Sequence, residues 1–226
     1  MMSPPAAAIP YWRLSSFYFL YYAFLGVIMP YWSLYLQASG YDAFAIGAVL
    51  AVMAGTRIVA PNVWGWIADR SGRRLQVIRI GAAGALAAFG ALLLAPPLGW
   101  LLLVVVLHTL FWGAILAQYE VITLASLGEQ VQRYGQVRLW GSVSFILAVV
   151  SGGLLFDRVS VTLLPHLLLV LLALIVAGTF LIREPAIAAR ERGNGALRAR
   201  LADRAMLAFL AASFLLQFSH APYYGF

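Results

Sequence analysis

The chain has 226 residues, of which 63% are hydrophobic and 10% charged, with no cysteine and a formal net charge of +7. Soluble domains carry about a quarter charged residues, so lipid is the expected solvent, and disulfide frameworks, thiol catalysis and cysteine metal sites are excluded. The positive charge does not point to nucleic acid, because the arginines fall between apolar runs of membrane-spanning length rather than on one soluble face.

All fifteen basic residues are Arg and Ala is abundant, a bias expected of a GC-rich bacterial genome. Met1 to Pro10 lacks a basic stretch, and the first apolar run is long, aromatic and without a small-residue cleavage site, so that run is expected to be retained. Seven apolar runs of roughly spanning length follow one another: Ser15 to Gln37, Ala43 to Trp66, Leu75 to Ala95, Gly99 to Leu127, Arg138 to Phe156, Val161 to Ile182, and Ala205 to Phe226. The fold class expected from them is an all-α membrane protein.

In the first run, Pro30 can bend the helix, and aromatic residues are frequent. An interfacial belt explains Tyr11, Trp12 and Tyr35, whereas Tyr21 and Tyr22 lie too deep for it and are candidates to line a solute site. The second run carries Arg57 about midway, where an unpaired charge costs about 2.5–3.5 kcal/mol on insertion scales. Arg57 therefore needs an ion-pair partner, with Glu120 the candidate, or it anchors substrate. Pro61 and Asn62 suggest a local break in the same helix.

Small residues line up for close packing at Gly81, Gly84, Ala88 and Ala91 in the third run and at Ser144, Ala148 and Gly152 in the fifth. Glu120 in the fourth run lies about 30 Å of helical rise beyond Gly99, near the inner boundary. Arg138 follows it at the start of the fifth run, and the two either bind solute or anchor a loop. Histidine as a residue type can relay protons, which makes His108, His166 and His220 candidates, but a lone helical histidine is more often a packing residue, and none is assigned a proton-relay role.

The stretch 183–204 is the longest polar segment and reads as a linker between a six-helix bundle, 1–182, and a seventh helix, 205–226. Tyr21-Tyr22-Ala23-Phe24 is echoed by Tyr223-Tyr224-Gly225-Phe226, as expected if a second half begins there and the chain stops inside its seventh helix. Twelve arginines (Arg13, Arg70, Arg73, Arg74, Arg79, Arg133, Arg183 and those from Arg190 to Arg204) fall on one side of the runs, against Arg158 alone on the other. By the positive-inside rule the N-terminus is cytoplasmic, and the expected location is the bacterial inner membrane.

Between the second and third runs stands Gly65-Trp66-Ile67-Ala68-Asp69-Arg70-Ser71-Gly72-Arg73-Arg74. A tight turn needs Gly72, Gly65 eases close helix approach, and Asp69 offsets the guanidiniums. The decapeptide resembles the G-x-x-x-D-R-x-G-R-R signature of the major facilitator superfamily. The resemblance implies a six-helix N-terminal half built as 3+3, a second half as partner, and transport by rocking about a central site. Gly65, Asp69, Arg70, Gly72 and Arg73 would then form a conformational latch.

Glu120, eighteen residues before Arg138 in Tyr134-Gly135-Gln136-Val137-Arg138-Leu139-Trp140-Gly141-Ser142, looks like the matching pair of the oligosaccharide, nucleoside and phenylpropionate proton symporters. Ser33 to Gly47 looks like the phenylpropionate branch. The resemblance implies Glu120 and Arg138 as solute contacts, beside Arg57, Tyr21 and Tyr22, which are candidates by their depth in the spans; it also implies protons as coupling ion with no other cofactor, and membrane lipid and a small solute as partners, without nucleic acid. Gly141 to Gly153 contains no proline, unlike the fifth-helix motif of drug antiporters, which favours uptake over efflux. A membrane-embedded enzyme using Glu120 and a histidine lacks a nucleophile, a metal cluster or a phosphate loop to accompany them.

Overall fold

The structure is a computed structural model describing residues 10–94, 97–185 and 203–225, side chains at 217 and 220–225 excepted. The chain forms two compact units, the first running to Ile187 and the second from Ala188. In the first unit, α1 spans Tyr11–Ala38, α2 Ala43–Ser71, α3 Arg74–Gly90, α4 Leu98–Trp112, α5 Ile115–Leu127, α6 Tyr134–Phe156 and α7 Leu164–Thr179. Short 3-10 turns lie at Ala91–Leu94, Gly128–Arg133 and Val161–Leu163. In the second unit, α8 spans Arg204–Gly225 and stacks Phe214 on Phe218 at 6.1 Å; the expected His220 lies outside the described side chains.

Five helical stretches of the first unit are long and apolar enough to cross a membrane, and one of them, Leu98–Phe156, is 59 residues long. That stretch makes two passes. Glu120 and Arg138 approach to 3.7 Å, whereas eighteen residues along a straight helix separate side chains by about 27 Å. The six expected runs of the first unit thus coincide with passes, within a few residues at their ends, while the seventh meets a shorter described apolar stretch, Arg204–Leu216, in the second unit.

Local chemistry sets the helix ends. Gly40, at φ 87°, closes α1 as Tyr41 N–H bonds to Leu36 O across a Schellman-type turn. The Asp42 carboxylate caps α2 by accepting from Ala45 N–H at 2.8 Å. Gly72, at φ 66°, ends α2 in the left-handed conformation, as the tight turn required.

The core gathers around α1, whose Phe17, Tyr18 and Phe24 are fully buried together with Tyr119 and Phe89. α1 and α6 run parallel: Tyr11 meets Gln136 and Trp140, Gly26 meets Phe145, and Tyr31 meets Val149 and Phe156. The small-residue stripes do bring helices together. A Cβ on Gly81 would stand 2.6 Å from Ala114 Cβ, and one on Gly152 would stand 2.7 Å from the Tyr31 ring. Outside this core the bundle exposes Ile146, Leu147, Val150, Leu154, Val170 and Leu174, a surface suited to lipid and not to water.

Two local expectations are corrected. α2 continues unbroken through Pro61, and Asn62 Nδ2 donates to Ile58 O at 2.9 Å within the same turn. The break falls instead in the fourth span, between α4 and α5. There Ala114 N–H bonds to Phe111 O, three residues back, leaving Leu110 O free of its helical partner. The Trp64 indole takes that oxygen at 2.7 Å, and Gly113 lets Ala60, one turn before Trp64 on α2, approach. Arg79, counted among the loop arginines, lies in α3 with its guanidinium 4.9 Å from the Phe180 ring.

Candidate solute-binding site

Glu120 and Arg138 meet because the chain reverses between them. Gly128, at φ 51°, ends α5, Gln130 leaves helical geometry, and Arg133 ties the turn together through Gln130 and Gln136 at 3.3 and 3.4 Å. The Tyr134 hydroxyl then donates to Glu120 Oε1 at 3.3 Å, the same oxygen that faces Arg138 Nε at 3.7 Å. The pair keeps 31% and 36% of its side-chain surface exposed, so polar atoms remain available to a third partner.

α1 supplies the floor. The Arg138 guanidinium lies 4.3 Å from the Tyr22 ring and 5.5 Å from Tyr18, within cation–π range. Gly141 makes room for Tyr22, since a Cβ there would meet its ring at 2.7 Å. Trp140, between Arg138 and Gly141, is held by its indole N–H on the Tyr11 hydroxyl at 2.9 Å. The G-x-x-R-x-aromatic-G frame is thereby a packing device that aims one arginine.

The two tyrosines expected to line a site differ. Tyr22 is half-buried beneath Arg138, whereas Tyr21 is 5% exposed and stacked on Trp112 at 4.4 Å. Tyr21 belongs mainly to the core. Trp112 is followed by Gly113, which Ala60 approaches closely, so the turn of α2 that begins at Arg57 runs past the stretch of α4 on which Tyr21 stacks.

Arg57 is exposed on α2 and does not pair with Glu120, contrary to one expectation. Among the described residues the ion pairs are Asp69–Arg74 and Glu120–Arg138, so Arg57 has no carboxylate partner there. His108 is a packing residue: it is buried, its Nδ1 lies 3.1 Å from Ala85 O, and its ring sits among Phe24, Phe89 and Trp112. His166 is exposed on α7. Cavities of about 380 and 450 Å³ lie at opposite ends of the bundle, around Asp157 and Arg73 respectively, and neither is lined by Glu120, Arg138 or Arg57. No group of three or more His, Asp or Glu suited to a metal occurs among the described residues.

In the 65–74 loop, the residue that pairs with Asp69 is Arg74, which also bonds through its other terminal nitrogen to the Gln118 amide oxygen. Arg70 lies instead 5.4 Å from the Trp66 ring, and Arg73 contributes its backbone N–H to Ser71 Oγ at 3.3 Å. Gln118 was missed because nothing in sequence marks a buried glutamine in an apolar run as the loop's anchor. Gly65 is not demanded by packing here, since a Cβ would find only Gln118 Nε2 at 3.9 Å.

The sequence profile of the MFS_1 like family matches residues 11–226. The chain belongs to this family. It is 32% identical over 218 residues to the probable 3-phenylpropionic acid transporter of Escherichia coli (strain K12), covering 92% of this chain and 56% of that protein. It is also 32% identical over 204 residues to the maltose permease of Geobacillus stearothermophilus, covering 88% and 51%. This MFS_1 like chain therefore spans about half the length of the curated relatives it matches. Among solved structures, the nucleoside transporter NupG superposes with a TM-score of 0.72 at 20% identity over 92% of this chain and 52% of its own, and its D323A mutant gives the same score at 19% identity over 94% and 52%. The MFS_1 like first unit thus has the major facilitator fold of an N-terminal six-helix bundle, in a family of transporters rather than enzymes.

Proposed function

We propose that the protein acts in proton-coupled uptake of a small organic solute by alternating access, with Glu120, Arg138 and Tyr22 as solute contacts. The carrying observation is the partly exposed Glu120–Arg138 pair above the Tyr22 ring, a charged fork on an aromatic floor that suits hydroxyls, carboxylates and flat rings alike. The names of the relatives, a phenylpropionic acid transporter, a maltose permease and a nucleoside transporter, span those chemistries. Asp69, Arg74 and Gln118, with Arg70, Gly72 and Arg73 in the same turn and Gly65 before it, form the latch that holds one conformation. The arginine asymmetry supports a cytoplasmic N-terminus, and the composition supports a bacterial inner membrane. Import is favoured over drug or metabolite efflux because α6 runs from Tyr134 to Phe156 without an internal proline.

The test is accumulation of labelled 3-phenylpropionate, maltose and uridine by the full-length carrier in proteoliposomes under an imposed pH gradient. Accumulation of one solute that collapses with a protonophore is expected, and Glu120→Gln should abolish it. Uptake of any of the three that is indifferent to the gradient would refute the coupling, and uptake of none would refute the assignment to this solute range.

A further inference from the structure

Arg57 is the one arginine in the middle of a described spanning helix whose charge the bundle leaves open. Of the carboxylates within the described spanning helices, Asp69 is engaged by Arg74 and Glu120 by Arg138, with Tyr134 on the same Glu120 oxygen. An intramembrane cation without a counter-charge is strongly disfavoured, and such residues face a bundle interior or a water-filled cavity. Arg57 stands one turn before Ala60, and Ala60 meets Gly113 next to the Trp112 ring that stacks on Tyr21, so this turn of α2 runs along the part of α4 that packs on α1. A second feature singles out the same turn. Pro61 has no N–H to return to the Arg57 carbonyl, so that oxygen lacks its helical bond.

We propose that Arg57 is the anchor for an organic carboxylate, so that the solute of the site at Glu120, Arg138 and Tyr22 is a monoanion. This rests on the uptake reading above and narrows it. The planar guanidinium fork matches the two oxygens of a carboxylate, and lysine would offer a point charge in its place. Charge favours one class of anion: among the described residues Arg57 leaves one positive charge uncompensated, which one carboxylate balances, whereas a phosphate monoester at about −1.5 to −2 overfills it. With the carboxylate on Arg57, the body of the solute extends toward the exposed edge of Tyr22 and the Glu120–Arg138 pair.

The experiment measures binding to the purified full-length carrier in nanodiscs, using a series of monocarboxylates from acetate to phenylacetate and the isosteric amide of each. Wild type is expected to bind at least one carboxylate at least tenfold more tightly than its amide. Arg57→Gln should lose at least tenfold for that carboxylate, and Arg57→Lys should recover part of the loss, with both variants retaining the wild-type thermal midpoint within a few degrees. The lysine variant keeps the charge, so it remains informative if the glutamine variant fails to fold. Absence of any carboxylate preference over the amides, or binding within twofold of wild type by either variant that removes the fork, overturns the proposal. The two readings fail separately. Proton-driven uptake of a neutral sugar or nucleoside, undiminished in Arg57→Gln, sinks the anion anchor and leaves the carrier standing. Carboxylate binding lost in Arg57→Gln, without gradient-driven uptake, sinks the coupling and leaves the anchor standing.

Discussion

The Trp64 indole N–H donates to the carbonyl oxygen of Leu110 at 2.7 Å, across from α2 to the last turn of α4. The oxygen is available only because Ala114 N–H turns to Phe111 O where α4 gives way to α5. A helix interrupted inside a membrane must have its freed backbone groups satisfied by neighbours, and here one side chain does so.

Replacing that donor tests the break directly. Trp64→Phe keeps a ring against Phe111 but removes the N–H, and the orphaned carbonyl should cost about 0.5–2 kcal/mol. Thermal unfolding of the purified carrier should show a lowered midpoint. An unchanged midpoint would mean that water or a repacked backbone serves the carbonyl equally well.

Two glycines should respond in opposite ways to the same methyl group. Gly81→Ala drives its Cβ against Ala114 and the Phe111 carbonyl at 2.6 and 2.8 Å, and overpacking of this kind costs about 1–3 kcal/mol. Gly65→Ala meets nothing closer than 3.9 Å and gains helix propensity, so it should fold at least as well as wild type. Equal stabilities for the two variants would contradict the packing described between α3 and the fourth span.

The loop arginines should prove unequal. Arg74 bonds both Asp69 and Gln118, while Arg73 offers the loop only a backbone contact. Transport by the full-length carrier should therefore fall at least fivefold in Arg74→Gln and in Asp69→Asn, and stay within twofold of wild type in Arg73→Gln. Comparable losses at 73 and 74 would show that net charge, not the Asp69–Arg74–Gln118 arrangement, governs the latch.

Orientation is open to labelling because the chain has no cysteine of its own. Single cysteines at Ser39 and Arg158, both exposed, should react with an impermeant thiol reagent from outside in intact cells, and one at exposed Gln132 only after the membrane is opened. Labelling of Gln132→Cys in intact cells would reverse the assignment.

The spans were legible because lipid imposes a length and a polarity that few alternatives satisfy, so Ala43 and Leu127 fall at helix ends where hydropathy put them. Breaks were not. Pro61 marks a lost donor in sequence yet α2 absorbs it, while Gly113-Ala114 lies in an apolar run without proline and interrupts the helix where Ala60 and Gly81 approach it closely. Partner choice was legible in part: Glu120 was matched to Arg138 as well as to Arg57, and the turn at Gly128 decides for Arg138, whereas which arginine Asp69 meets depends on the turn at Gly72, which only three-dimensional geometry resolves.

The parallel pairing of α1 with α6 also constrains biogenesis. Tyr11 and Gln136 are 125 residues apart, and Tyr31 and Val149 are 118 apart. At ribosomal speeds of about 5–20 residues per second, α1 waits on the order of 6 to 25 s in the bilayer before its main partner exists. Through that interval the Tyr31 hydroxyl, destined for Val149 O, and the Tyr11 hydroxyl, destined for Gln136 O, face lipid or an insertase. Nascent chains stalled before Tyr134 should accordingly be held by the insertion machinery and released only once α6 has entered.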